Sequence, residues 1–110
     1  MKLREIAHSR TGDKLNIVNV SAIPYREEDY DLLRRELTVE RVKKQYKGIA
    51  LGKITRYELP GIKGLNFVME EALGGGVSRS LNLDLHGKSF NMIMLDIDIQ
   101  VPDDYVLPKR

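Results

Sequence analysis

The sequence predicts a two-layer α+β sandwich, with strands in one layer and helices in the other. Three observations predict it. Residues 15–23, LNIVNVSAI, are apolar on both faces, as a strand in the middle of a sheet is. Residues 26–46 hold two consecutive amphipathic helical patterns. Residues 77–85, VSRSLNLDL, alternate apolar and polar side chains with period two. In chain order this gives strand, strand, helix pair, strand, helix and hairpin, and helices on one face of a mixed or antiparallel sheet satisfy that order.

Each element has its own justification. Residues 2–8 form a short first strand, and the SRTGD segment (9–13) is the turn after it, with Gly12 supplying a positive φ. The buried strand 15–23 stops at Pro24. In the next helix Tyr30, Leu33 and Leu37 repeat at i, i+3, i+7, and carboxylates in its first turn oppose the positive end of the helix dipole. Thr38 caps a second helix carrying Val39, Val42 and Tyr46, which Gly48 ends. Residues 49–59 are a strand whose alternation slips near Gly52, the mark of a bulge. After LPGIKG, the residues Leu65, Val68, Met69, Ala72 and Leu73 make one helical stripe, ended by Gly74, Gly75 and Gly76. His86-Gly87 then turns strand 77–85 into a last strand, about Lys88 to Val101, placing Phe90 opposite Leu83 and Met92 opposite Leu81. The other face of that last strand carries Ile93, Leu95, Ile97 and Ile99, and this apolar row calls for cover by a second subunit or domain, the alternative being a neighbouring loop of the same chain.

At 110 residues the chain is one domain, taken as 1–101, followed by a tail over 102–110. Its 18 basic and 16 acidic residues nearly cancel, so no concentrated basic face points to nucleic acid; only RVKKQYK and the final PKR are locally basic. There is no cysteine, which removes disulfides, thiolate metal sites and a cysteine nucleophile. No apolar run approaches the ~20 residues of a membrane span, so no membrane partner is expected and the expected location is the cytoplasm.

Few residues carry chemistry. The triple glycine lies between a helix and a strand in the wrong order for a phosphate-cradling loop, which runs strand, glycines, helix. It reads as a helix terminus, or as a wall where a ligand approaches the backbone, with Arg79 just beyond. Asp84, His86, Asp96 and Asp98 fall too far apart along the hairpin to share a metal ion, and Asp96 reads as the structural partner of Arg79. No metal and no cofactor are expected. Ser9, Ser78 and Ser80 lack a motif that would orient a base on them, leaving His8 and His86 as the possible acid–base groups. HSRTGDK, residues 8–14, is the densest cluster. Either Asp13 and Lys14 neutralise one another in a turn, or Arg10 and Lys14 form a fork for a carboxylate or phosphate with Asp13 orienting one of them.

Several stretches together carry a family resemblance over residues 3–101. SRTGDK before a buried strand, YDLLRRELTVERVKKQY, and YELPGIKGLNFVMEEALGGGVSRSLNLDLHGKS resemble, in order, the small C-terminal domain of the acyclic terpene utilisation protein A (AtuA) family. The resemblance implies a ferredoxin-like α+β fold without an iron–sulphur cluster. It also implies a link to the breakdown of acyclic terpenes and branched acids as coenzyme A thioesters. Carried over by motif, Arg10, Gly12, Asp13 and Lys14 match the family's opening, and Gly74 to Gly76 with Arg79 match its glycine segment. Leu15 departs from it, standing where the family has a second glycine; leucine does not adopt positive φ cheaply.

The functional expectation is an accessory interaction domain. It would form a homo-oligomer or dock on a larger protein resembling the family's N-terminal domain. The alternative is a small enzyme or binding protein for an anionic acyl thioester at a subunit interface, with Arg10 and Lys14 on the anion and His8 or His86 as acid or base.

Overall fold

The computed structural model describes residues 1–14, 17–71 and 90–108. Strand 77–85, the His86-Gly87 turn, Gly74 to Gly76, Arg79 and Asp84 lie outside the described residues. The described part is an α+β sandwich, with a five-stranded antiparallel sheet carrying its helices on one face.

The sheet is organised around a central strand of eight residues, β3 (Ile17–Pro24). On one side of it run β1 (Ala7–His8) and β2 (Thr11–Lys14), on the other β5 (Gly64–Glu70), with β4 (Ile54–Leu59) beyond β5. Val18 pairs with Met69, Val20 with Phe67 and Ala22 with Leu65, and all six side chains are buried under the helices. Burying each of the larger ones contributes roughly 1.5–3 kcal/mol. The central position expected for this strand is therefore correct. Among the described residues only one of its faces is covered, however, and Ile17 on the other face is 44% exposed.

β1 and β2 are one line of backbone. His8 faces Ile23, and three residues further Thr11 faces Val20, so the register does not slip between them. Ser21 spans the interruption: its N–H donates to Arg10 O at 2.9 Å, and its hydroxyl accepts from Arg10 N–H at 2.9 Å. The turn expected at 9–13 is not found: Thr11 to Lys14 form β2, paired antiparallel with β3 from Thr11 opposite Val20 to Lys14 opposite Ile17. Gly12 has no positive φ. Asn19 lies beside it across the ladder, where an added Cβ would stand 3.1 Å from Asn19 Nδ2, the end of an exposed side chain.

The helical layer begins with a 3₁₀ turn at Glu27–Asp29, leading into α1 (Tyr30–Glu36) and then α2 (Val39–Gln45). Thr38 caps α2 as its sequence requires, its Oγ1 accepting from Arg41 N–H at 3.1 Å. Leu33, Leu37, Val42 and Tyr46 are fully buried against the sheet.

Two expected elements change type. Residues 65–70 form β5, not a helix. Leu65, Phe67 and Met69 alternate inward, and Asn66, Phe67 and Val68 are poor helix formers. Pro60 to Lys63 fold the strand back onto β4, pairing Leu59 with Gly64. The last segment is not a strand. Residues Phe90–Leu95 are a short helix, α3, that buries Phe90, Ile93 and Met94 at i, i+3, i+4. The proposed facing of Phe90 and Met92 across a hairpin falls with it. Ile97 and Ile99 follow in extended chain, 2% exposed, and bond to the N-terminus through Leu3 N–H to Ile97 O and Ile99 N–H to Met1 O. The apolar row that called for an outside partner is consumed by the chain's own core. Residues 2–8 likewise begin as a 3₁₀ turn, Leu3–Glu5, before the two residues of β1.

Two buried carboxylates fasten the C-terminal segment to the helices. Glu36, at the end of α1, accepts from Gln100 N–H at 2.7 Å, from Arg41 Nη1 at 3.0 Å and from Arg35 Nε at 3.2 Å. Asp29 accepts from Arg26 Nε at 3.1 Å and from the Tyr105 hydroxyl at 2.9 Å, while Arg26 Nη2 donates to Val106 O at 2.7 Å. On the opposite side of the helical layer the Tyr46 hydroxyl donates to Phe90 O, tying α2 to α3. Burial pushes the Tyr46 phenol far above its ordinary pKa.

Burial by itself would raise the Glu36 carboxyl, but its bonds to Gln100, Arg35 and Arg41 outweigh that and hold it below its ordinary 4.5. Its contribution is therefore present above the unfolded value and lost as pH falls through the lower folded one. Glu36→Gln is expected to lower the urea midpoint at pH 7 by an amount equal to about 1–2 kcal/mol, and to flatten the fall in stability between about pH 5 and pH 3. An unchanged acid limb in urea melts would contradict this account. A second prediction concerns the bulge, which stands where the alternation slips. Gly52 N–H donates to Glu70 O at 3.0 Å and Lys53 O accepts from Glu70 N–H at 2.9 Å, so two residues oppose one. A Cβ at position 52 would meet Glu70 O at 2.8 Å. Gly52→Ala is expected to cost about 1–3 kcal/mol in denaturant melts, through a backbone clash that no rotamer relieves.

Candidate functional site

Residues 8–14 fall on an edge of the sheet, where alternation sends neighbours to opposite faces. Arg10 and Gly12 belong to the uncovered face with His8, whereas Ser9, Thr11 and Asp13 belong to the other. Arg10 and Asp13 therefore do not share one side of the strand. His8 packs on Tyr25, their ring centroids 5.6 Å apart. Arg10 is exposed, and its guanidinium has no ion pair or hydrogen bond among the described residues. Asp13 is exposed as well. Lys14 pairs through its backbone with Ile17, while its side chain lies outside the described residues. Ser9 Oγ and Thr11 Oγ1 are buried atoms without a partner among the described residues. Gly74, Gly75, Gly76, Arg79 and His86 lie outside the described residues.

Asp96 forms an ion pair with Arg4, and Asp98 lies 3.4 Å from Lys2 Nζ. Both carboxylates thus serve the seam between the N-terminus and residues 96–100. Among the described residues no group of three or more His, Asp or Glu is placed to hold a metal ion, and no helix is long and apolar enough to cross a membrane.

The larger surface feature is the uncovered face itself. Register aligns Arg10, Ser21, Asn66 and Tyr57 in one row across the strands, and Gly12, Asn19, Val68 and Thr55 in the next. Tyr57 is 51% exposed and Leu59 37% exposed, with Ile17 at the far corner. The face has amides and hydroxyls at its centre and large apolar side chains around them. Sequence reading missed it, because its members come from four strands and two of those were assigned otherwise. The signal that would have found it is the strict alternation of Leu65, Phe67 and Met69 with Asn66 and Val68.

The sequence that folds into this antiparallel sheet and its helical layer matches the model of a known domain family. The chain belongs to the AtuA ferredoxin-like domain family. The model of that domain matches residues 1–100, which takes in every strand and helix of the sandwich. The sandwich is accordingly ferredoxin-like. No curated protein and no solved structure matches the chain. In this AtuA-type domain the opening-motif residues Gly12 and Asp13 lie in β2 with Arg10 just before it, and Gly12 stands opposite Asn19.

Because Arg10 makes no side-chain bond among the described residues, Arg10→Ala is expected to change stability by less than about 0.5 kcal/mol. A loss of more than about 1 kcal/mol in thermal melts would show that the guanidinium supports the fold and is not a free surface group.

Proposed function

We propose that this AtuA-type domain is a non-catalytic interaction module, docking through the uncovered face of its sheet on a larger AtuA-type protein that works in acyl-thioester catabolism. The observation that carries the reading is that face, on which Ile17, Tyr57 and Leu59 stand exposed around Asn19, Ser21, Thr55 and Asn66. Its composition favours a separate partner over an obligate homodimer. Permanent homodimer interfaces are more apolar at their centre, whereas non-obligate ones are about as polar as ordinary surface. Tyrosine at such a face is the kind of residue that anchors a complex. The metabolic setting rests on the family resemblance, and a cysteine-free chain suits the reducing cytoplasm.

The test is the solution mass by light-scattering chromatography, for the chain alone and mixed with a protein carrying an AtuA-type N-terminal domain. A complex is expected, and Tyr57→Lys, a change on an exposed edge strand, is expected to weaken it at least tenfold while leaving the melting temperature unchanged. Absence of a complex, or one indifferent to Tyr57→Lys, would overturn the proposal. A dimer of this chain abolished by the same substitution would assign the face to a second copy and remove the larger partner.

A further inference from the structure

On the helical side of the molecule, remote in chain position from the opening motif, a cavity of about 480 Å³ lies between α2 and residues 97–100. Arg41, Lys44 and Gln45 line one wall, being one helical turn apart and so on one side of α2. Asp98 and Gln100 line the other, and Ile97 is the single apolar member. We propose that this cleft binds a small polar metabolite carrying a phosphate monoester, with Arg41 and Lys44 holding the phosphate.

Arg41 is held at two points. Its Nη1 donates to Glu36 Oε1 at 3.0 Å and to Asp98 O at 3.2 Å, so the guanidinium plane is fixed by a buried carboxylate and a backbone carbonyl. Its Nε and Nη2 have no partner among the described residues. Lys44 Nζ likewise has neither ion pair nor hydrogen bond among them. A fixed guanidinium with unused donors beside an unpaired ammonium is a recognition pair for an oxyanion, the first giving direction and the second charge. Gln100 N–H and Gln45 Nε2 are already spent on Glu36 and on Ile93 O, so their positions are set as well.

The charge balance favours a dianion over a monoanion. Arg41 is itself paired with Glu36, so the balance includes the groups behind the wall: Lys2, Arg35, Arg41 and Lys44 meet two carboxylates, Glu36 and Asp98, which leaves two positive charges over. A phosphate monoester carries close to two negative charges at neutral pH, whereas a carboxylate or a phosphodiester carries one. The walls also decide what the phosphate is attached to. With one apolar residue among six, the cleft offers hydrogen-bonding amides and no slot for an acyl chain. A hydroxylated body fits it, a lipid tail does not.

The experiment is a titration followed by backbone and side-chain amide NMR, at constant ionic strength, using four probes: inorganic phosphate, ribose 5-phosphate, succinate and a short single-stranded oligonucleotide. Saturable shifts confined to residues 41–45 and 97–100 are expected with phosphate, and tighter ones with ribose 5-phosphate. Lys44→Gln is expected to weaken both roughly tenfold, and Arg41→Lys, which keeps a cation beside Glu36 but loses the fork, by a similar factor. Both variants should retain the wild-type spectrum elsewhere. Succinate binding as tightly as ribose 5-phosphate would overturn the assignment to a phosphate monoester. Oligonucleotide binding as tightly would move the site to a nucleic-acid backbone. Shifts that are absent, or that persist unchanged in Lys44→Gln, would remove the site.

Discussion

The carboxylate of Glu36 is the point on which the helical layer depends. It closes α1, and it receives a backbone N–H from Gln100 and two guanidiniums, one from its chain neighbour Arg35 and one from α2. A charge that is only 8% exposed is costly to bury, and it persists because all of its partners are donors. Its location sets the elbow between α1 and α2 and pins the extended chain after α3 to the same spot. That pinning returns Ile97 and Ile99 to the core beneath the N-terminus. Asp29 does the same for Tyr105 one layer away, so two acids on one helical segment order the whole C-terminal part.

This clamp leaves the two faces of the sheet unequal, and the inequality bears on function. The apolar residues of the last segment were available either for a partner or for the chain itself, and the carboxylate clamps commit them to the chain. The helical side of the sheet is thereby filled, with Val18, Val20, Phe67 and Met69 fully buried. The other side keeps polar residues at its centre and larger ones at its margin, the composition of a surface that associates without being permanently closed. The same clamp that fills the core also fixes Arg41, so the cleft against α2 and the uncovered sheet face are consequences of a single packing solution.

Much of this was legible in the sequence, for reasons that differ by element. α1 and α2 are written in local signals: acidic residues first, apolar spacing of three and four, and a threonine whose hydroxyl caps the next helix. The central place of β3 follows from its apolar residues on both faces, Ile17 and Ile23 on one and Val18, Val20 and Ala22 on the other. β5 and α3 were misread because a short apolar stretch fits period 2 and period 3.6 almost equally well. Leu65, Val68 and Met69 make a helical stripe, yet Leu65, Phe67 and Met69 make a strand face, and the choice is settled by the β4 backbone waiting beside it. Phe90 to Leu95 failed in the opposite sense. Gly12 supplies no turn: it has no positive φ and lies in β2 opposite Asn19. For the site, residues 8–14 stood out through composition, whereas the aligned rows of Ser21, Asn66 and Tyr57 exist only once the register is known. Arg41 and Lys44 were visible only as part of a basic run, because the clamp that orients one of them is tertiary.

The central claim, that the uncovered face of the sheet is where a larger AtuA-type partner sits, is tested most directly by thiol protection. The chain has no cysteine, so single cysteines can be placed at Tyr57 on that face and at exposed Glu40 on the helical side without background. Adding the partner is predicted to slow thiol labelling of Tyr57→Cys strongly and to leave Glu40→Cys unchanged. Equal labelling of Tyr57→Cys with and without a bound partner, or protection of Glu40→Cys instead, would contradict the claim.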